Sequence, residues 1–146
     1  MKNVLELLER TAARLPRQTA FADQQCSYDY QTVVNIAGSV GSALAANGDR
    51  NCPVAVLMER GAPCLVTLMG VLYSGNFYVV LDPEMPAERV NKILRTLQPT
   101  ALICDEAHKD DPAGLDYDGK VYSAEALAAG QAQPELLQTV RRRMID

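Results

Sequence analysis

From residue 53 onward the chain alternates short runs that are apolar throughout with segments long enough to form a helix, and no other feature restricts its fold as tightly. Residues 54–58 (VAVLM), Phe77–Leu81 (FYVVL) and Ala101–Cys104 (ALIC) are such runs. A strand with one wet face alternates apolar and polar residues, whereas a strand apolar at every position has to be covered on both faces. Parallel strands need a crossover, and a helical crossover lays its apolar side back on the sheet. The pattern predicts an α/β fold: a parallel sheet with helices on both faces.

The intervening segments support that reading. Pro63 opens a helix whose Leu65, Val66, Leu68, Met69, Val71 and Leu72 leave almost no polar face, so it should be buried. Ala87–Leu97 carries Val90, Ile93, Leu94 and Leu97 at helical spacing. Val121 and Tyr122 form a weaker fourth strand, followed by a helical stretch at 124–129 and a last helix around Leu136, Leu137 and Val140. Residues 105–119, rich in Asp, Gly and Pro, read as a surface loop. Ahead of residue 53, Val4, Leu5, Leu8, Ala12 and Leu15 make an amphipathic helix that Pro16 closes, and residues 19–22 and 25–28 make a small hairpin around Asp23 and Gln24. Tyr30, Val33, Val34, Ala37, Val40, Gly41 and Leu44 then fit a long helix with Asp29 as N-cap and Asn47-Gly48 as its stop. The whole reads as one unit over residues 1–146, with helix, hairpin and helix in 1–52 and the strand–helix alternation in 53–146.

With 48% hydrophobic and 22% charged residues, the composition is that of a soluble globular protein. The net charge of -4 gives no electrostatic reason to bind nucleic acid or an anionic membrane. No apolar run is long enough to span a bilayer, and Glu6, Glu9 and Arg10 interrupt any signal-peptide core, so a cytoplasmic location is expected. The four cysteines, Cys26, Cys52, Cys64 and Cys104, lack C-x-x-C spacing. They read as reduced structural thiols, with metal or redox roles as the alternative.

Candidate sites are few. Neither G-x-G-x-x-G nor G-x-x-x-x-G-K-[ST] occurs, and Gly61, alone between the first parallel strand and its helix, reads as turn geometry ahead of phosphate binding. Gly38 and Gly41, inside a helix, suit close packing better than a ligand. His108 is the only histidine, beside Asp105, Glu106, Asp110 and Asp111. A metal site is one reading of that cluster, but the ligand spacing matches no known geometry, and a solvated acidic loop is favoured. One histidine and no G-x-S-x-G give a Ser-His-Asp triad little support. Arg141, Arg142 and Arg143 are expected to complement the dipole of the last helix and to face water, with a phosphate-binding cluster as the minority reading.

The stretch GVLYSGNFYVVLDPEMPAERVNKIL, from Gly70 to Leu94, resembles a signature of the adenylate-forming enzymes: acyl-CoA synthetases, peptide-synthetase adenylation domains and D-alanine carrier-protein ligases. The pattern there runs approximately L-K-A-G-x-A-Y-V-P-L-D-P-x-x-P-x-E-R. Leu72, Gly75, Tyr78, Val79, Leu81, Asp82, Pro83, Pro86, Glu88 and Arg89 match it, whereas Tyr73 stands for Lys, Ser74 and Phe77 for Ala, and Val80 for Pro. An earlier family signature, a Tyr opening a helix that ends in Leu-x-x-x-Gly, has counterparts in Tyr30, Leu44 and Gly48, with Asp29 in place of the usual Thr.

The resemblance implies a Rossmann-like part of the large N-terminal domain of an enzyme that activates a carboxylic acid with ATP and Mg. Such an enzyme forms an acyl-adenylate and transfers the acyl group to a phosphopantetheine thiol of CoA or a carrier protein. An amino acid is the preferred substrate, because LDPEMPAERV is closest to the amino-acid-activating branch. The family's nucleotide loop, acid pocket and catalytic Lys follow this region, so the 146 residues are expected to be an N-terminal fragment. The fragment should hold no catalytic, cofactor-binding or metal residue, bind no cofactor, lack activity, and self-associate through apolar surface exposed by the cut. The alternative is a self-contained α/β binding or interaction module.

Overall fold

The computed structural model describes residues 4–143. Its elements run α1 (Val4–Arg14), β1 (Thr19–Ala22), β2 (Ser27–Asp29), α2 (Tyr30–Ala45), β3 (Pro53–Leu57), α3 (Ala62–Tyr73), β4 (Phe77–Leu81), α4 (Ala87–Leu97), β5 (Ala101–Cys104), β6 (Lys120–Ser123), α5 (Ala124–Ala128) and α6 (Pro134–Arg142). β1 and β2 form an antiparallel hairpin; the other strands form a parallel sheet in the order β4-β3-β5-β6. The predicted α/β class and parallel sheet are present, with β2 starting two residues later than the 25–28 reading.

Helices cover both faces of the sheet. On one face, Val54, Val56 and Ile103 pack with Leu68 and Val71 of α3, Val40 and Leu44 of α2 and Leu127 of α5. On the other, Ala55, Leu57, Leu81 and Leu102 pack with Val90 and Leu94 of α4. α2 and α3 cross closely because both supply glycines at the crossing. A Cβ on Gly41 would stand 2.5 Å from the Tyr73 Cβ and 3.0 Å from the Gly70 carbonyl oxygen, and one on Gly70 would stand 2.5 Å from Val40. Gly38 in turn admits Ala132 from the α5–α6 connection.

The capping expectations hold. The Asp29 carboxylate accepts the Thr32 N–H at 2.8 Å, and Gly48 carries the positive φ of 87° that ends α2. Two differences stand out. The region predicted as a loop at 105–119 is wound into two 3-10 turns, Glu106–His108 and Asp111–Gly114, and buries Pro112. β4, apolar at every position, is a sheet edge, and Phe77, Tyr78 and Val80 remain 46%, 38% and 50% exposed. Only Leu81 of that strand is buried, because only the α4 face and the β3 side of β4 are covered.

Candidate functional site

In an open parallel sheet, ligands collect beyond the carboxyl ends of the strands, where the winding reverses. Here the chain leaves β3 for β4 on one side and returns to β5 on the other, so the reversal lies between the turns that follow β3 and β5. Asp105, directly after β5, bridges that gap: its carboxylate accepts the Glu59 N–H at 2.9 Å and the His108 N–H at 3.2 Å.

The His108 ring folds back over this bridge. Nδ1 lies 2.8 Å from an Asp111 oxygen and Nε2 lies 3.5 Å from a Glu59 oxygen, with the side chain only 18% exposed. The Asp111 hydrogen bond raises the imidazole above its ordinary value against the opposing effect of burial, and Asp105 and Glu59 act in the same direction as Asp111. The His108 side chain is therefore partly enclosed among carboxylates, while Glu106, Lys109, Asp110 and Asp111 around it are exposed, as a solvated acidic loop requires. Glu106 pairs outward with Lys109 at 2.8 Å, and Asp110 makes no side-chain cap at the second 3-10 turn. Among the described residues, no three His, Cys, Asp or Glu side chains are arranged to hold a metal ion.

Across β3 and β4 a polar crevice of about 660 Å³ is lined by Asp23, Gln24, Gln25, Glu59, Arg60, Asp82, Pro83 and Glu84. The Gly70 to Leu94 signature places two of its matched residues, Asp82 and Pro83, in this wall. Asp82 Oδ1 accepts the Glu84 N–H at 2.9 Å and its carbonyl accepts the Met85 N–H at 3.0 Å, a turn that ends β4 and aims the chain into α4.

At the N-terminus of α3 the chain supplies its own anion. Asp23, from the hairpin turn, accepts the N–H groups of Ala62, Gln25 and Cys26, each at 2.7 Å. Those bonds, Ala62 first, hold its carboxyl below the usual carboxylate range. Gly61, at φ 152°, is required there because a Cβ would run into the Asp23 carboxylate. The Ala62 N–H, one of the backbone donors that a phosphate would use at this helix terminus, is thus already taken.

A second polar cluster has no counterpart among the sequence expectations. Arg141 does not face water: its guanidinium grips Glu9 through Nη1 at 3.2 Å and Nη2 at 2.9 Å and stacks 5.4 Å above the Tyr73 ring. Tyr73 donates to Glu9 Oε2 at 2.7 Å, and burial, first, with that bond pushes its phenol well above the ordinary value. The trio borders a cavity of about 450 Å³ between α1, α2 and α6. Only Arg142 and Arg143 remain exposed as expected. The departure of Tyr73 from the family's Lys is the one signal of this cluster that the sequence carries. Cys64 and Cys104 are buried, with thiols raised by burial first and by Asp105 second, and Cys26 and Cys52 are also free.

Comparison with known proteins decides the family. A profile of the AMP-binding enzyme family matches residues 8–143. The chain belongs to that family. It is 27% identical over 135 residues to a subunit of the plipastatin synthase of Bacillus subtilis strain 168, covering 92% of this chain and 4% of the synthase subunit. With the pyochelin synthetase PchF of Pseudomonas aeruginosa it shares 35% identity over 97 residues, covering 66% of this chain and 5% of the synthetase. Among solved structures, the nonribosomal peptide synthetase FmoA3 bound to alpha-methyl-L-serine-AMP superposes with a TM-score of 0.77 at 22% identity, over 86% of this chain and 14% of that one. VinN superposes with a TM-score of 0.77 at 21% identity, over 97% of this chain and 36% of that chain. The chain thus spans a small part of the length of the relatives it matches. No described helix is long and apolar enough to cross a membrane.

Proposed function

We propose that this chain is the N-terminal scaffold of an ATP-dependent ligase that activates a carboxylic acid, with an amino acid as the preferred substrate. The parent enzyme forms an acyl-adenylate and pyrophosphate, then passes the acyl group to a phosphopantetheine thiol of a carrier protein or CoA. The family match over residues 8–143, together with the synthetase relatives, supports the reaction class.

The observation that carries the scaffold role is the charge at the carboxyl end of the sheet. Four carboxylates, Asp23, Glu59, Asp82 and Glu84, face one guanidinium, Arg60, in the crevice, and Asp23 occupies the α3 N-terminus. A triphosphate would meet four carboxylates there, with the Ala62 N–H already held by Asp23, so the residues present do not fit the nucleotide. On this reading residues 1–146 form one structural unit that positions a site built by other parts of the protein.

Acid-dependent exchange of labelled pyrophosphate into ATP tests this, measured on residues 1–146 and on the longest reading frame that contains them. The longer protein is expected to catalyse exchange and the 146-residue chain to give none. Exchange by the short chain would overturn the scaffold reading, and inactivity of the longer one with every acid tried would overturn the ligase reading.

A further inference from the structure

The exposed flank of β4 has an unusual combination of properties for a sheet edge. Natural edges are blunted by charge, proline or a bulge. β4 reads FYVVL, carries none of these, and pairs with β3 in unbroken register from Pro53↔Phe77 to Leu57↔Leu81.

Its parity fixes which groups are free. Phe77 donates its N–H to the Cys52 carbonyl at 3.1 Å, so the backbone groups of residues 77, 79 and 81 face β3. Those of Tyr78 and Val80 point out of the sheet. Leu81 and Val79 pack on the α4 side, which puts the Tyr78 and Val80 side chains on the opposite face, half exposed.

We propose that β4 pairs with β4 of a second copy of this chain, antiparallel about a two-fold axis at Val79, joining two sheets into one. In that register Tyr78 lies opposite Val80 of the second copy, and each such pair exchanges two hydrogen bonds through its free backbone groups. The facing side chains are an aromatic and a β-branched residue, a favourable cross-strand combination. Val79 meets its own symmetry mate, and Phe77 meets Leu81.

Charge selects the antiparallel sense. Arg50 packs against Gly75 at the start of β4, while Asp82 and Glu84 follow its end. Antiparallel pairing keeps the acidic carboxyl ends of the two strands apart and sets each beside the Arg50 end of the other copy, whereas parallel pairing would bring the two acidic ends together. The contact is closed and isologous, so it stops at two copies. It rests on strand geometry and is independent of the ligase reading, so the outcome of pyrophosphate exchange leaves it untouched.

Sedimentation of the 146-residue chain over a wide concentration range is expected to show a monomer–dimer equilibrium. Val80→Pro removes an outward N–H without touching the bonds to β3, and should weaken the dimer by about tenfold or more. Val79→Cys should give a disulfide-linked dimer on oxidation in a background with Cys26 and Cys52 replaced by Ser, whereas Phe77→Cys should not, because residue 77 faces residue 81. In the unsubstituted chain, the Tyr78 and Val80 amides should exchange more slowly with deuterium as protein concentration rises. A monomer at every concentration, a dimer indifferent to Val80→Pro, or Phe77→Cys cross-linking as well as Val79→Cys would each overturn the proposal. So would protection of those amides at every concentration, the sign that another strand of the same chain, or of a longer protein containing it, already covers the edge.

Discussion

A side chain that reads in the sequence as a lone charge often has a partner far away along the chain, and His108 is the clearest instance. Its neighbours Asp105 and Asp111 are visible in the sequence, but the carboxylate facing Nε2 is Glu59, supplied by the turn after a different strand. The raised imidazole value has a defined consequence for stability. A group whose folded value lies above its unfolded value stabilises the fold fully below the unfolded value, about 6.5, and that contribution disappears as pH rises through the folded value. Urea midpoints measured from mildly acidic to mildly alkaline pH should therefore fall on the alkaline side of 6.5, and His108→Gln should flatten that fall. A variant that keeps the same slope would show that His108 is not the titrating group. Asp23 behaves in the opposite sense: its lowered value means that its contribution is present at neutral pH and fades as the carboxyl protonates in acid.

At the scale of elements, the α2–α3 crossing decides where the rest of the molecule can sit. Replacing Gly41 by Ala would raise intrinsic helix propensity by roughly 1 kcal/mol. The added methyl would, however, lie 2.5 Å from the Tyr73 Cβ and 3.0 Å from a backbone oxygen, neither of which is a flexible tip. Overpacking of that kind costs about 1–3 kcal/mol and occasionally more, so the clash wins. Gly41→Ala is expected to lower stability by a net ~1 kcal/mol, read from chemical denaturation, and a stabilised variant would mean that the crossing can widen freely. The elements themselves are legible in the sequence: helix spacing, apolar strand runs and the Asp29 and Gly48 caps are local signals, and each falls within a few residues of its predicted place. The exposure of β4 is not legible, because an edge strand and a central strand can have the same apolar composition; what separates them is the strand order β4-β3-β5-β6. The occupied helix terminus is equally hidden. The sequence marks Gly61 as a residue of special geometry, but the reason for that geometry, the Asp23 carboxylate, comes from the hairpin and lies 39 residues before the Ala62 N–H that it accepts.

Across the whole molecule, Glu9 and Arg141 stand 132 residues apart and tie the first helix to the last through a side chain of the third, Tyr73. The pair is bidentate, and its side chains are 41% and 23% exposed, so solvent screens it in part. An exposed ion pair contributes up to about 1 kcal/mol, and bidentate geometry with the Tyr73 ring beneath the guanidinium places this one near the upper end. Removing Glu9 does more than break the pair, because the buried Tyr73 hydroxyl loses its acceptor, which costs about 1–3 kcal/mol. Glu9→Ala should therefore be more damaging than Arg141→Ala, and the double substitution less damaging than the sum of the two by about 1 kcal/mol. Denaturant midpoints of the four proteins measure this. The coupling should shrink in high salt, whereas the larger cost of Glu9→Ala should persist, because a stranded hydroxyl is indifferent to ionic strength. Fully additive costs would show that α1 and α6 are held by apolar packing alone, with the polar trio as a bystander.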